Sequence, residues 1–442
     1  MFFPKVLSDC VNLDKAYKIA LADIESNIKL NSNGEKVFFA GEGYSEPWTR
    51  DASINVWNGL GLFAPDEAKN TLLAVLNKGN KRSSIGGEYW DAIIWVTGAY
   101  YYLLCSGDEE FKKTLIDVTV NALDYFEKTE FDSEKNLFRG AACYGDGVSA
   151  YPAIYTVGKK SGASDFAKYF PQYSIERGVG NPIMTLSTNC LYYNAYRIAY
   201  ILTGDKLYTS KAERLKASIN KYFWNENKGN YRYIVDPFGG SEQSEGFGLS
   251  FAILFDIADS EQTKKIIQNT FITKHGIPCL YPEYERYQKY GIARHCGTIW
   301  PQINAFWADA VHCHDENKFA LEFCSLTNKV IRDGFFSEIY HPITGECYGG
   351  VQEWQGKIVE WKAERRQLWC ATGYLRMIFK DILGIEITLK GMVIRPYKNS
   401  VCNNLVVQGL RYRNADIDIK VQNFKGEYFV PADATGKVEI EF

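Results

Sequence analysis

A carboxylate carried on a long loop between two helical stretches is the first group in this chain that could do chemistry. Glu338 lies in Phe335–Gly350, FFSEIYHPITGECYGG, just ahead of a His-Pro-x-Thr-Gly turn, between a helical stretch ending near Arg332 and another beginning near Ala363. Proton transfer at a bond under attack needs an acid and a base, so a second carboxyl is sought. Asp146 sits between Gly145 and Gly147, two residues after Tyr144. That spacing makes either a tight turn or a carboxyl that a ligand can approach closely. Asp91, Glu245 and Glu283 are further candidates, Glu245 also suiting the first turn of a helix. Trp48-Thr49-Arg50-Asp51 joins an indole, a cation and an anion. Arg50 and Asp51 match the donors and acceptors of two vicinal hydroxyls, and equally match a helix start. Glu88-Tyr89-Trp90-Asp91 has the same two readings, cap or hydroxyl ligand. Arg294, Trp300 just before Pro301, and Trp361 complete the set, with indoles that stack on the C–H faces of sugar rings.

Composition narrows the partner. The chain has 442 residues, a formal net charge of −3 and no basic run, which argues against nucleic acid or an anionic membrane surface. Aromatic residues make up 15% of it, many beside glycines and charges in loops, which suits a small neutral ligand such as a sugar. The first residues, MFFPKVLSDC, are too interrupted for the apolar core of a signal peptide, and no run approaches the roughly 18 apolar residues of a membrane span. Eleven scattered cysteines, mostly inside apolar stretches, are the usage of reduced thiols and predict a cytoplasmic protein. His295-Cys296 and His312-Cys313-His314 have no CxxC or HExxH companion, so neither a metal nor another cofactor is expected.

The elements that must position these residues are helical. The apolar period predicts helices at 12–29, 51–62, 66–79, 90–106, 109–128, 185–204, 206–223, 244–258, 261–273, 301–314, 315–332 and 365–381, the first capped by Asn12 or Asp14. Long loops follow at 30–50, 129–184, 224–243, 274–300 and 333–364, after the first, fifth, seventh, ninth and eleventh helices. Loops this long are usually functional. Short connections fill the even places, and they favour antiparallel neighbours, so the long loops emerge at one end of a double layer of helices. From about Gly384 short β-branched runs predict a small antiparallel β unit. The division expected is a helical domain over 1–383 and a β module over 384–442 packed on it.

Seven blocks in order carry a resemblance: WTRD at Trp48–Asp51, EYWDAIIW, YGDGVSAYP, SEGFGLSFAILFDIA, HCGTIWPQINAFWADA, EIYHPITGE and RRQLWCATGYLRMIF. Together they resemble the six-hairpin glycosidases over about residues 40–384, most of all the mannosylglycerate-hydrolase and processing-glucosidase-like group. Trehalases, glucoamylases and bacterial α-rhamnosidases look like more distant relatives. The resemblance implies a mainly α chain, an (α/α)6 barrel of twelve helices, and an inverting glycosidase acting on a small α-linked oligosaccharide or glycoside. It implies a general acid between the fifth and sixth helices, where Asp146 stands, and a general base between the eleventh and twelfth. Glu338, Tyr340, Pro342, Thr344 and Gly345 reproduce the base motif Glu-x-Tyr-x-Pro-x-Thr-Gly. The acid motif is looser, and Asp91, Glu245 and Glu283 stay as rivals. The other readings are a glycoside phosphorylase on the same barrel and a carbohydrate-binding protein without activity.

Overall fold

The computed structural model describes residues 3–77, 84–86, 90–145, 147–155 and 182–442, apart from the side chains of Trp90 and Asp91. Twelve helices lie among the described residues: α1 (Val11–Ser26), α2 (Thr49–Asn55), α3 (Pro65–Ala74), α4 (Ile94–Ser106), α5 (Glu109–Thr129), α6 (Leu186–Thr203), α7 (Lys206–Phe223), α8 (Gly246–Leu254), α9 (Ser260–Asn269), α10 (Pro301–Val311), α11 (Glu316–Asp333) and α12 (Leu368–Arg376). α2 runs on through a π turn kinked at Gly59 to Phe63, and α12 through a π turn to Ile382.

Even and odd helices differ in composition, and that decides where each lies. All eleven residues of α10 are buried, and α4 and α8 are apolar nearly all round. α11 buries a stripe that includes Phe319, Phe323, Leu326 and Val330, and leaves a charged face to water. A helix apolar on every side must be enclosed, whereas an amphipathic one covers it. Accordingly α2 packs on α4, α4 on α6, α6 on α8, α8 on α10, α10 on α12, and α12 returns to α2. Odd helices cover this ring: α1 lies on α12 and α11, α5 on α4 and α6, α11 on α10. Contact in the ring is close enough that a Cβ on Gly98 of α4 would stand 2.6 Å from the Ser53 backbone of α2.

Capping follows the same division. α5, α7, α9 and α11 begin behind Asp108, Asp205, Asp259 and Asp315, whose carboxylates accept from first-turn amides. α2, α6, α8, α10 and α12 have no side-chain cap; Trp48, Thr185, Glu245, Trp300 and Gln367 hold their N-cap positions. Those ends leave their first amides and positive dipole ends toward the long loops.

Several expected boundaries move. α1 starts behind Cys10 with no side-chain cap, and Asp14 instead accepts from the Ser8 amide and hydroxyl. The predicted helices over 12–29 and 66–79 stop at Ser26 and Ala74, because the apolar residues that follow enter small hairpins, Ile28–Leu30 with Lys36–Phe38 and Leu76–Asn77 with Ser84–Ile85. Such hairpins also follow α5 and α7. Helix 244–258 is shorter at both ends: Ser244–Glu245 pair with Leu280–Tyr281, and Asp256 turns left-handed at φ +58°. Helix 261–273 ends at Asn269, where Thr270 is extended.

The C-terminal unit has two sheets. β1 (Lys5–Ser8), β4 (Leu405–Tyr412), β5 (Asn414–Val421) and β7 (Thr435–Glu441) form one in that order; β2 (Ile385–Ile387), β3 (Gly391–Ile394) and β6 (Tyr428–Pro431) form the other. β1 comes from the opposite end of the chain and pairs with β4. β5 and β7 pair in parallel, which corrects the wholly antiparallel unit expected. A parallel return needs a crossover, and β6 supplies it by lying in the second sheet. Arg413, at the β4–β5 turn, donates to the Leu104 carbonyl of α4 at 3.1 Å and ties the sheets to the helices.

One ion pair locks the ring away from the loops. Arg376 is 2% exposed, its guanidinium lies between Trp57 and Phe306, 4.6 and 4.3 Å from the ring centres, and its Nε donates to Asp309 Oδ2 at 2.8 Å. Burial pushes the Asp309 carboxyl up, but Arg376, Lys380 and His312 together hold it below its ordinary value. Arg376→Met keeps the stem and removes the charge, leaving Asp309 buried beside Asp381. Urea unfolding at pH 7 is expected to show a loss of about 3–5 kcal/mol; a loss under ~1 kcal/mol would contradict this role for the pair.

Candidate active site

A cavity of about 320 Å³ opens among the uncapped helix ends, at the low end of the ~300–1,000 Å³ typical of small-molecule sites. Trp48, Arg50 and Asp51 enter it from the first turn of α2, Arg294 and Trp300 from the approach to α10, and Glu338 and Trp361 from the loop between α11 and α12. Tyr144 closes one wall, its hydroxyl donating to the Cys279 carbonyl at 3.1 Å. The structure thus brings together eight of the residues singled out in the sequence.

Glu338 is 3% exposed and held from two sides. Arg294 Nη2 donates to both its carboxylate oxygens at 2.9 and 2.8 Å, and the Glu364 amide donates to Oε2 at 3.1 Å. Arg294 is itself fixed: Nη1 donates to the Gly349 carbonyl at 2.9 Å, and the guanidinium faces Trp300 and Trp361, 5.4 and 5.9 Å from the ring centres. Stacked, fork-shaped contacts of this kind suit arginine and not lysine. Local backbone explains why the loop can come so close. A Cβ on Gly349 would collide with the Trp361 carbonyl, and Gly350, at φ +75°, lies against the Arg294 backbone. Tyr340 and Ile299 exchange backbone hydrogen bonds at 2.8 and 3.0 Å, which ties the Glu338 loop to the approach of α10.

His295 also lines the cavity, stacked on Trp300 at 5.2 Å, and its amide donates to Ser149 Oγ at 3.1 Å. A Cβ on Gly147 would strike His295 and Gln352, so glycine there serves packing rather than a turn alone. Asp146 and Glu88 lie outside the described residues; Trp90 and Asp91 fall in a 3-10 turn, Trp90–Ile93, ahead of α4 rather than inside the helix expected to start at 90.

The two remaining acids are not on the cavity wall. Glu245, at the start of α8, is fully buried behind it, and its Oε2 accepts from the Ser187 amide at 3.1 Å. Burial pushes its pKa up to about 8, against the pull of hydrogen bonds from Ser187. Glu283 is half-buried against Gly297, and burial raises it to about 7 despite a hydrogen bond from the Ala293 backbone.

Sequence reasoning passed over Tyr44, Lys362, Glu364 and Trp369, which line the cavity, and considered His295 only as a metal ligand. Trp369 was within reach, because it occupies the first turn of an even helix as Arg50 and Asp51 do. Elsewhere, Asp309, His312 and Asp381 bring potential ligand atoms within 4.8 Å of one another, the one such group among the described residues. Arg376 already holds Asp309 Oδ2 and Lys380 lies 3.7 Å from Oδ1, so two fixed cations oppose a metal ion there.

The Glu245 carboxyl generates a pH prediction. Its folded pKa stands above the ordinary 4.5, so ionisation favours the unfolded chain as pH rises from there to about 8. Glu245→Gln removes that penalty. Its melting temperature should be near that of the parent at pH 5 and exceed it by a margin that widens up to pH 8; a margin independent of pH would contradict a neutral buried Glu245.

Residues 95–369, more than half of the chain, match the profile of the mannosylglycerate hydrolase MGH1-like glycoside hydrolase domain. Comparison with curated protein sequences gives no match. Among solved structures, a protein titled sialidase superposes with a TM-score of 0.70 at 13% identity, over 97% of this chain and 40% of that one. A GH78 family rhamnosidase of a Bacillus species gives 0.61 at 13% identity, over 100% of this chain and 44% of that one. This chain therefore spans less than half the length of those two proteins. The GH63 mannosylglycerate hydrolase from Thermus thermophilus, in complex with glucose, gives 0.62 at 13% identity, over 82% of this chain and 100% of that one. At such identities the likeness is one of fold, the six-hairpin glycosidase type, whereas the profile match reaches further. The chain belongs to the mannosylglycerate hydrolase MGH1-like glycoside hydrolase family and carries a glycosidase domain.

Proposed function

We propose that the ring of helices is an (α/α)6 barrel and that the protein is an inverting, exo-acting glycoside hydrolase for a small α-linked oligosaccharide or glycoside. The observation that carries this reading is the pairing of Glu338 with Arg294, whose guanidinium faces two indoles, in a small cavity. An ion-paired carboxylate held from two sides keeps an oxygen oriented toward a water. Trp48 and Trp361 line the space for one sugar ring, Trp300 backs it through Arg294 and His295, and Arg50 and Asp51 supply polar groups toward its hydroxyls. A cavity of this size suits a terminal residue rather than a passing chain.

In the reaction, Glu338 takes a proton from water as the water oxygen bonds to the anomeric carbon. The glycosidic C–O bond breaks, and the leaving oxygen takes a proton from the general acid, for which Asp146 is our assignment. Inversion requires these carboxyls to be roughly 6.5–9.5 Å apart. No metal or other cofactor is needed for these steps. The family and the Arg50–Asp51 pair support a sugar as ligand, and the choice among glucose, mannose and rhamnose is an outcome of the test. All eleven cysteines are free thiols, which supports a reducing compartment, and we assign the protein to the cytoplasm. Among the described residues no helix is long and apolar enough to cross a membrane.

A panel of α-glucosides, α-mannosides and α-rhamnosides, read by product analysis with and without phosphate, identifies the substrate. Glu338→Gln and Asp146→Asn are each expected to lower kcat by about 10²–10⁴. Because Glu338→Gln leaves the buried Arg294 without its counter-charge, it should also lower the melting temperature, so its turnover is read at a temperature where circular dichroism shows the variant folded. Near-native turnover by Glu338→Gln would overturn the base, the same result for Asp146→Asn would overturn the acid, and strict dependence on phosphate would replace hydrolysis by phosphorolysis.

A further inference from the structure

A hairpin grows out of the Glu338 loop and ends beside the cavity. Val351–Trp354 pairs with Lys357–Glu360, Gln352 opposite Val359 and Trp354 opposite Lys357. The Arg294 amide donates to the Val351 carbonyl at 3.0 Å and the Trp361 amide to the Gly350 carbonyl at 2.8 Å, so the hairpin is anchored to the segments that hold Glu338. Its turn residues Gln355 and Gly356 both have positive φ, +50° and +80°, the two-residue turn that matches strand twist and fixes register.

Side chains alternate across such a ribbon, so Gln352 and Trp354 share a face with Val359. Gln352 is fully buried, and Ser149 Oγ donates to its Oε1 at 3.3 Å, beside Gly147 and His295. That face is therefore turned toward the rim of the cavity. Two residues further out, Trp354 is 42% exposed and stands edge-on to Trp361 of the cavity wall, with centroids 5.5 Å apart and planes at 90°. An exposed indole beside a sugar-sized cavity, at right angles to an indole in its wall, is a second platform.

We infer that Trp354 forms a leaving-group subsite and that the group it takes is a second sugar ring. This rests on the hydrolase reading above. A cavity of about 320 Å³ holds the ring under attack, so the leaving group lies toward the rim. A pyranose has an apolar C–H face to lay on the indole, and a small acyclic acid or alcohol has none.

The test compares Trp354→Ala with the parent on α-linked disaccharides and on the α-glycosyl fluorides of the same terminal sugars. Fluoride leaves without a ring. The variant should lose about tenfold in kcat/KM on the disaccharide, mostly through KM, and stay within about twofold on the fluoride. Trp354→Phe should recover most of the loss. Equal loss on both substrates, or none on either, overturns the subsite. A parent that cleaves the fluoride and glycosides of small acyclic leaving groups but no disaccharide overturns the sugar leaving group and leaves the hydrolase standing. A parent that cleaves nothing in the panel overturns the hydrolase reading and the subsite with it.

Discussion

The rest of the site depends on one buried ion pair, Arg294 with Glu338. Two charges at the bottom of a cavity lose much of their hydration, and their attraction offsets that loss only when the remaining donors and acceptors find partners. Here the Glu364 amide, the Gly349 carbonyl and the faces of Trp300 and Trp361 complete the set. Each of those partners comes from a different turn of two long loops, so the loops are held wherever the pair is held. Gly349 and Gly350 follow from the same demand, since a side chain at Gly350 would push the Glu338 loop off the Arg294 segment and one at Gly349 would strike the Trp361 backbone across the same loop.

Below the loops, the chain separates two tasks between two kinds of helix. Odd helices close the outside, and α5, α7, α9 and α11 among them start behind aspartate caps. Even helices, mostly buried, form the ring and bring uncapped N-termini toward the cavity, so Trp48, Trp300 and Gln367 stand at N-cap positions with Arg50, Asp51 and Trp369 in the turns that follow. A first turn is a rigid place for a side chain that must not move, and its unpaired amides favour negative charge nearby. Arg376, between Trp57 and Phe306 and paired with Asp309, fixes the ring independently of the loops.

Much of this was legible in the residues. The 3.6-residue period predicts twelve helices, because burial on one side or on all sides leaves its mark in apolar spacing, and the parity of long loops predicts one functional face. Glu338 stands out because its motif is local. What failed was what depends on contacts distant in sequence. Residues 28–30 and 76–77 continue an apolar period yet end in hairpins, and β7 returns in parallel because β6 leaves the sheet. Asp91, Glu245 and Glu283 stand in the sequence as rivals of Asp146 for the acid, and only the fold shows that Glu245 is buried against Ser187 and that Glu283 lies against Gly297. His295 gives no signal of its own, since only the fold brings Ser149 and Trp300 to it.

Glu338 acts as a base on water only if water attacks the face of the sugar opposite the departing group. Proton NMR of the first-formed product from an α-linked substrate reads that stereochemistry directly, before mutarotation mixes the anomers. Appearance of the β-anomer first is the result this account predicts. First appearance of the α-anomer would mean net retention, which calls for a nucleophilic carboxylate in place of an activated water, and would contradict the role given to Glu338.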